Sequence, residues 1–125
     1  MFIINKDQSI NLTRGDAVSI DINATTSELE EYIFQPGDIV RFKVFEKNHC
    51  DRVVFSKEVE VSEETETVAI QLTGEDTRIG PVIHKPTEYW YEVELNPTTV
   101  PQTIIGYDAS GPKVFRLYPE GDDTK

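Results

Sequence analysis

The sequence predicts an all-β domain, an antiparallel sandwich of two sheets around one core. Apolar residues recur with period two rather than three to four, which sends successive side chains to opposite faces of strands. Short turn signals break these runs at close, regular intervals, and the 125 residues are near the modal size of a single domain. The apolar fraction of 38%, spread along the whole chain, is enough to build one core and exceeds what a disordered chain carries.

Ile10 and Leu12 open the pattern, and Val18, Ile20 and Ile22 continue it with Ser19 and Asp21 facing the other way. Between them Arg14-Gly15-Asp16 is turn chemistry: glycine permits positive φ, and the aspartate can bond back to local amides. Gln35-Pro36-Gly37-Asp38 is a second turn, leading into Val40, Phe42 and Val44, which alternate with Arg41 and Lys43. Val53, Phe55, Val59 and Val61 follow on one parity, interrupted by Lys57. The polar link Asn48-His49-Cys50-Asp51 predicts that they form a hairpin with the preceding strand.

After the connection Ser62-Glu63-Glu64-Thr65-Glu66, Val68, Ile70 and Leu72 alternate again. Tyr89, Tyr91, Val93 and Leu95 form the clearest ladder, with Glu92 and Glu94 opposite and Trp90 on that same outward parity. Residues 103–107 and 113–118 read as two more strands, joined into a closing hairpin by Asp108-Ala109-Ser110-Gly111-Pro112. Two short segments carry helix-capping chemistry, Ser27-Glu28-Leu29-Glu30 and Thr73-Gly74-Glu75-Asp76-Thr77. About eight closely spaced strands favour an immunoglobulin-like sandwich over a closed barrel. The domain is expected over residues 1–119, with 120–125 as a flexible acidic tail that has nothing apolar to bury.

The net charge of −11, from 23 acidic against 12 basic residues, repels phosphate backbones and anionic lipid, so nucleic acid and membrane are not expected partners. Cys50 is the sole cysteine, which excludes an intrachain disulfide. The opening residues lack a basic segment followed by a long apolar one, so no signal peptide is expected and synthesis is placed in the cytoplasm.

A glycosidase needs two carboxylates facing each other across a cleft; Glu92 with Glu94, and Glu58 with Glu60, share strand faces, but among 23 acidic residues such pairs arise by chance and read as solvated sheet face. His49-Cys50-Asp51 cannot all point one way in an extended chain, and His84 stands far away, so no metal site or cofactor is expected. Cys50 beside His49 has no orienting third group, and phosphate loops and nucleophile elbows are missing, so the chain reads as a non-enzyme. Arg14-Gly15-Asp16 spells an integrin-type tripeptide, yet the structural turn is the better reading. Trp90 with Tyr89 and Tyr91, joined by Tyr107 and Tyr118, forms the candidate binding surface for a sugar or a protein partner.

Several segments taken together resemble small β modules of phage and prophage tails from Gram-positive bacteria, related to the N-terminal domain of the baseplate upper protein. Ile10-Asn11-Leu12-Thr13-Arg14-Gly15-Asp16 resembles the family's opening, and the run from Gln35 to Val44 resembles its Gly-Asp strand entry. Leu72-Thr73-Gly74-Glu75-Asp76-Thr77 is similar to its strand-end turn, and the run from Tyr89 to Leu95 to its tyrosine ladder. The resemblance implies a virion structural protein of the tail or baseplate that contacts other tail proteins, commonly as a homo-oligomer, without catalysis. Larger members continue into a coiled coil and a receptor-facing or docking region, whereas one domain is expected here. The alternative from the residues alone is a carbohydrate-binding β-sandwich stacking exposed aromatics on sugar rings.

Overall fold

The computed structural model describes residues 2–4, 8–25, 30–47, 49–79, 85–96, 98–99, 101–106 and 111–119, with backbone alone for 2–4 and 49–51. These residues form β1 (Phe2–Ile4), β2 (Ile10–Thr13), β3 (Val18–Ile22), β4 (Ala24–Thr25), β5 (Glu31–Tyr32), β6 (Ile39–Glu46), β7 (His49–Glu60), β8 (Val68–Leu72), α1 (Gly74–Thr77), β9 (Thr87–Leu95), β10 (Gln102–Ile105) and β11 (Lys113–Tyr118). The fold is all-β, as the alternation predicts. The capping segment at Ser27 and the acidic tail fall outside the described residues, as do Tyr107 to Ser110.

The strands make a seven-stranded sheet ordered β1-β2-β11-β9-β6-β7, with β10 also on β9, and two two-stranded sheets, β3-β8 and β4-β5. Alternation decides which side chains are buried. Ile10 and Leu12 of β2, Val40, Phe42 and Val44 of β6, Tyr91 and Val93 of β9, and Phe115 and Leu117 of β11 meet Ile20, Ile22, Val68, Ile70 and Leu72 from β3 and β8 in one cluster. Phe42 lies at its centre, stacked on Tyr91 at 5.4 Å and packed edge-on against Phe115 at 6.1 Å. Such aromatic pairs contribute about 0.5–1.5 kcal/mol beyond the area they bury.

Three details depart from the sequence reading. First, not every pair is antiparallel: β11 runs parallel to β2, with Phe115 opposite Ile10 and Leu117 opposite Leu12. Parallel neighbours need a long connection, and here nearly the whole chain intervenes, a relation that local periodicity cannot express.

Second, β10 and β11 form no hairpin. Thr103 pairs with Glu94 and Phe115 with Tyr89, so the two strands lie along β9 instead, one after the other. Their shared partner β9 is nine residues long, enough for both. Gly106 follows β10 in close quarters, where a Cβ would stand 2.6 Å from Thr103 Cγ2.

Third, the predicted β6–β7 hairpin is present, but its register shifts where Val44 faces Phe55 and Phe45 faces Val53. Val54 is the bulged residue, so Val53 leaves the parity of Phe55 and Val59 and is 48% exposed. Lys57 keeps the core-side parity opposite Phe42, and its Nζ reaches Asp76 of α1 at 2.9 Å.

Arg14-Gly15-Asp16 turns the chain after β2. The Asp16 amide donates to Thr13 O at 3.1 Å, Gly15 has φ +90°, and the Arg14 amide donates to Tyr118 O at 2.9 Å. Thr73 caps α1: its hydroxyl accepts from the Asp76 amide while the Asp76 carboxylate accepts from the Thr73 amide at 2.8 Å. One turn later Thr77, fully buried, accepts from the Gly15 amide and donates to Asp16 O, each at 2.9 Å. A Cβ on Gly74 would sit 2.6 Å from Gly15 O, so the turn and α1 close on each other directly.

Thr77→Val keeps the shape and removes both bonds, leaving the Gly15 amide and Asp16 carbonyl without this partner. The expected loss is about 1–3 kcal/mol, read as a lower urea midpoint with an unchanged slope.

Candidate contact surface

The large sheet has a second face, turned away from the core, and alternation dictates what it carries. Because Tyr89, Tyr91 and Val93 point inward, Trp90, Glu92 and Glu94 point outward. Trp90 is directly opposite Val114 on β11 and Phe45 on β6, and Phe45 is in turn opposite Val53 on β7. These residues form one apolar row across four strands. None belongs to the core cluster or to the partly buried residues packed on it. Phe45 is 4% exposed, Trp90 and Val114 are half-buried and Val53 is exposed, so the row opens toward the sheet edge.

Ion pairs flank the row on both sides. Toward the C-terminal end of β9, Lys43 Nζ is 2.8 Å from Glu92 and 3.5 Å from Glu94, and lies 5.9 Å from the Phe45 ring centre. Next to it Arg41 grips Glu58 at 2.6 Å. On the other side Arg116 holds Glu88 at 2.6 Å and Asn11 Oδ1 at 3.0 Å, with Lys47 3.4 Å from the same glutamate. Arg52 meets Glu46 at 3.3 Å near the hairpin end, on the other side of the sheet, since Glu46 is opposite Tyr89.

Arg41, Lys43, Lys47 and Arg116 thus balance Glu58, Glu88, Glu92 and Glu94 charge for charge, among the described residues. The remaining glutamate of β7, Glu60, ends that strand at the corner. Glu58 and Glu60, and Glu92 and Glu94, are therefore parts of a sheet face; three of the four hold a lysine or arginine.

The strand ends that frame this face are tied by Asp38. Its carboxylate accepts from the Tyr32 hydroxyl at 2.6 Å, the Gln35 amide at 2.9 Å and Asn96 Nδ2 at 3.2 Å. Asn96, in the left-handed region at φ +49°, also accepts from the Ile39 amide at 2.9 Å and donates its own amide to Ile39 O at 2.7 Å, joining the end of β9 to the start of β6.

Burial pulls the Asp38 carboxyl upward, but the Tyr32, Gln35 and Asn96 hydrogen bonds outweigh it and hold it below the usual carboxylate value. The same Tyr32–Asp38 bond, with burial, pushes Tyr32 up to about 12. Glu88 is lowered by the Arg116 hydrogen bond. Asp76 is lowered too: burial opposes, and the Thr73 and Lys57 bonds prevail. Each of these carboxylates is stabilised in its charged form, the reverse of what a general acid requires.

The structure divides the predicted aromatic trio. Trp90 faces outward, whereas Tyr91 is buried in the core, stacked on Phe42 and donating its hydroxyl to Gln8 O, and Tyr89 packs against the core from the same side. Alternation makes this unavoidable for consecutive residues of one strand, so the trio is not one surface. Phe45, Val114 and Val53 replace the tyrosines around Trp90. The parity of Phe45, opposite to Phe42 and Val44, was the available signal in the sequence.

His49, Cys50 and Asp51 lie on β7 without described side chains, and His84 is outside the described residues. Among the described residues no group of His, Cys, Asp and Glu is placed to hold a metal ion, and no helix is long and apolar enough to cross a membrane. No protein-family model and no curated protein matches the chain.

The pH dependence follows from the signs of the shifts. Asp38, depressed in the fold, stabilises it above the unfolded carboxylate value of about 3.9, and this contribution disappears as pH falls through the lower folded value. Tyr32, raised in the fold, contributes below about pH 10, and that contribution is lost as pH rises toward 12. Thermal unfolding across pH is expected to show Tyr32→Phe less stable than wild type at pH 7, with the gap narrowing above pH 10.

Proposed function

We propose that the chain is a non-enzymatic assembly module of a phage or prophage tail, of the kind implied by its resemblance to baseplate upper protein N-terminal domains, acting through protein–protein contacts. The observation that carries the contact reading is the row Val114, Trp90, Phe45 and Val53. It spends a tryptophan and a phenylalanine on the face of the sheet that does not build the core.

We further propose that the layers follow the immunoglobulin-like two-sheet sandwich. In the variable-type version one sheet runs G-F-C-C′, and strands B and E neighbour each other in the other. The order β11-β9-β6-β7 with β3 beside β8 supports this, because the same strands also appear in matching sequence order. The inter-sheet disulfide of antibody domains has no counterpart, since Cys50 is the only cysteine. The cluster of Phe42, Tyr91, Phe115 and Phe55 fills the centre of the core.

Sugar stacking is the weaker reading for this face. Trp90 is flanked by a buried Phe45 and a half-buried valine rather than by further exposed rings.

The direct test is quantitative mass spectrometry of tail particles purified after induction of the encoding bacterium. The expected result is the chain at a fixed ratio to the tail proteins, retained through density-gradient purification. Its absence from intact particles, with the chain present in the soluble lysate, would overturn the virion reading.

A further inference from the structure

We propose that the free edge of β7 takes an extended, basic segment of a partner protein as an added antiparallel strand. The inference rests on the assembly reading above only for the existence of a protein partner. It places a second contact at the margin of the large sheet.

β7 ends the strand order of that sheet, with β6 on one side and no described strand on the other. Its neighbours determine which of its backbone groups are open. Ile39 uses both its amide and its carbonyl on Asn96, at the end of β9. Alternation therefore turns the backbone of Val40, Phe42 and Val44 toward β7, where they pair with Val59, Lys57 and Phe55. The Val61 amide, on the same parity as Val59, likewise donates to Asp38 O at 2.8 Å. The amides and carbonyls of Ser56, Glu58 and Glu60 are left pointing away from the sheet, along a stretch whose register is regular from Phe55 to Glu60. Such an edge is a template for another strand.

A groove adjoins this edge. It occupies about 340 Å³ between the end of β7 and the start of β8, with Val59, Val61 and Val68 as its apolar lining and Glu60, Glu63 and Glu64 exposed around them. Lys57 is held by Asp76, which leaves Val59 as the apolar side chain that the edge offers to the groove. None of the three glutamates has an ion-pair partner among the described residues.

The chemistry of the occupant follows from these side chains. Residues directly opposite each other on two strands lie on the same face. An added strand thus sets alternate residues beside Ser56, Glu58 and Glu60, and the others beside Lys57 and Val59. Basic residues complement the first set and small apolar residues the second. β6 already shows the pattern on the paired side, where Arg41 is opposite Glu58 and 2.6 Å from it, and Val40 is opposite Val59. A second copy does not fit, because its own β7 would bring glutamates against glutamates.

The probe is a fluorescent heptapeptide, blocked at both ends, in which lysine alternates with valine; binding to the full chain is read by anisotropy. A peptide with the same residues in two blocks keeps the charge and loses the alternation. N-methylation of the lysines removes the amides that face β7, whereas N-methylation of the valines removes those on the far edge. On the protein, Ser56→Pro deletes an amide that β6 does not use, a substitution edge strands tolerate. Glu60→Lys combined with Glu63→Lys reverses the charge of the groove, and Glu31→Lys, at an exposed position of β5, is the charge control.

The expected result is binding that weakens with salt and slower hydrogen exchange at the amides of Ser56, Glu58 and Glu60 when peptide is bound. Ser56→Pro, the double lysine variant and N-methylated lysines should each raise the dissociation constant at least about tenfold, with Glu31→Lys and N-methylated valines leaving it unmoved. Absence of binding overturns the proposal, as does equal binding of the block peptide or of the peptide with N-methylated lysines. Should Ser56→Pro fail to fold, the two N-methylated peptides decide alone. The particle experiment judges the assembly reading separately: a chain found at fixed ratio in tails that ignores the peptide sinks only this inference, and a chain that binds the peptide but is absent from tails sinks only that reading.

Discussion

The stacking of Phe42 on Tyr91 is the contact on which the remaining structure depends. It joins the two central strands of the large sheet, β6 and β9, at adjacent inward positions, and Phe115 and Phe55 close on it from the strands to either side. Once these rings face inward, the pleat fixes every neighbour: a one-residue slip of β9 would bury Trp90, Glu92 and Glu94 and expose Tyr91 and Val93. Register is therefore strongly specified, and the outer face is a consequence of the inner one.

Polar interactions then close the ends of what the core has aligned. Asp38 and Asn96 bind the start of β6 to the end of β9, and Thr77 holds the turn after β2 against α1. Both ties join residues about sixty positions apart in sequence, and both use backbone amides that would otherwise need water. Neither aligns the strands by itself, since a hydrogen bond contributes only about 0.5–1.5 kcal/mol net, far less than the apolar burial it protects. Their effect is to select one arrangement at the rim, where packing alone discriminates poorly.

Much of this was legible in the sequence because alternation is a local property. The strands around Ile20, Phe42, Ile70 and Tyr91, the Arg14-Gly15-Asp16 turn and the capping box at Thr73 each declare themselves within a few residues. Pairing is not local. Nothing near Phe115 states that its neighbours are Ile10 in parallel and Tyr89 in antiparallel, and nothing near Thr103 states that β9 is long enough to hold β10 as well as β11. The bulge at Val54 was hidden for a related reason: an extra residue leaves composition unchanged and reverses parity, so Val53 read as core and stands exposed. Lys57 looked like a break in the apolar pattern, yet it occupies a core-side position because Asp76, nineteen residues on, supplies its partner.

The outward face of the large sheet shows the same division between what a strand records and what a sheet creates. Trp90 could be seen to oppose the tyrosine ladder, and Phe45 to oppose Phe42, but only the β9–β6 register puts the two side by side, and only the bulge in β7 adds Val53. The ion pairs arise likewise. Lys43 meets Glu92 and Arg41 meets Glu58 because they are directly opposite across strands, where opposite charges contribute roughly 0.2–1 kcal/mol. Individually these pairs are too weak to explain their concentration on one face of a chain with so large an excess of acid. Together they do something no single pair does: Arg41, Lys43, Lys47 and Arg116 balance Glu58, Glu88, Glu92 and Glu94 on either side of the apolar row, although acids outnumber bases 23 to 12 in the chain.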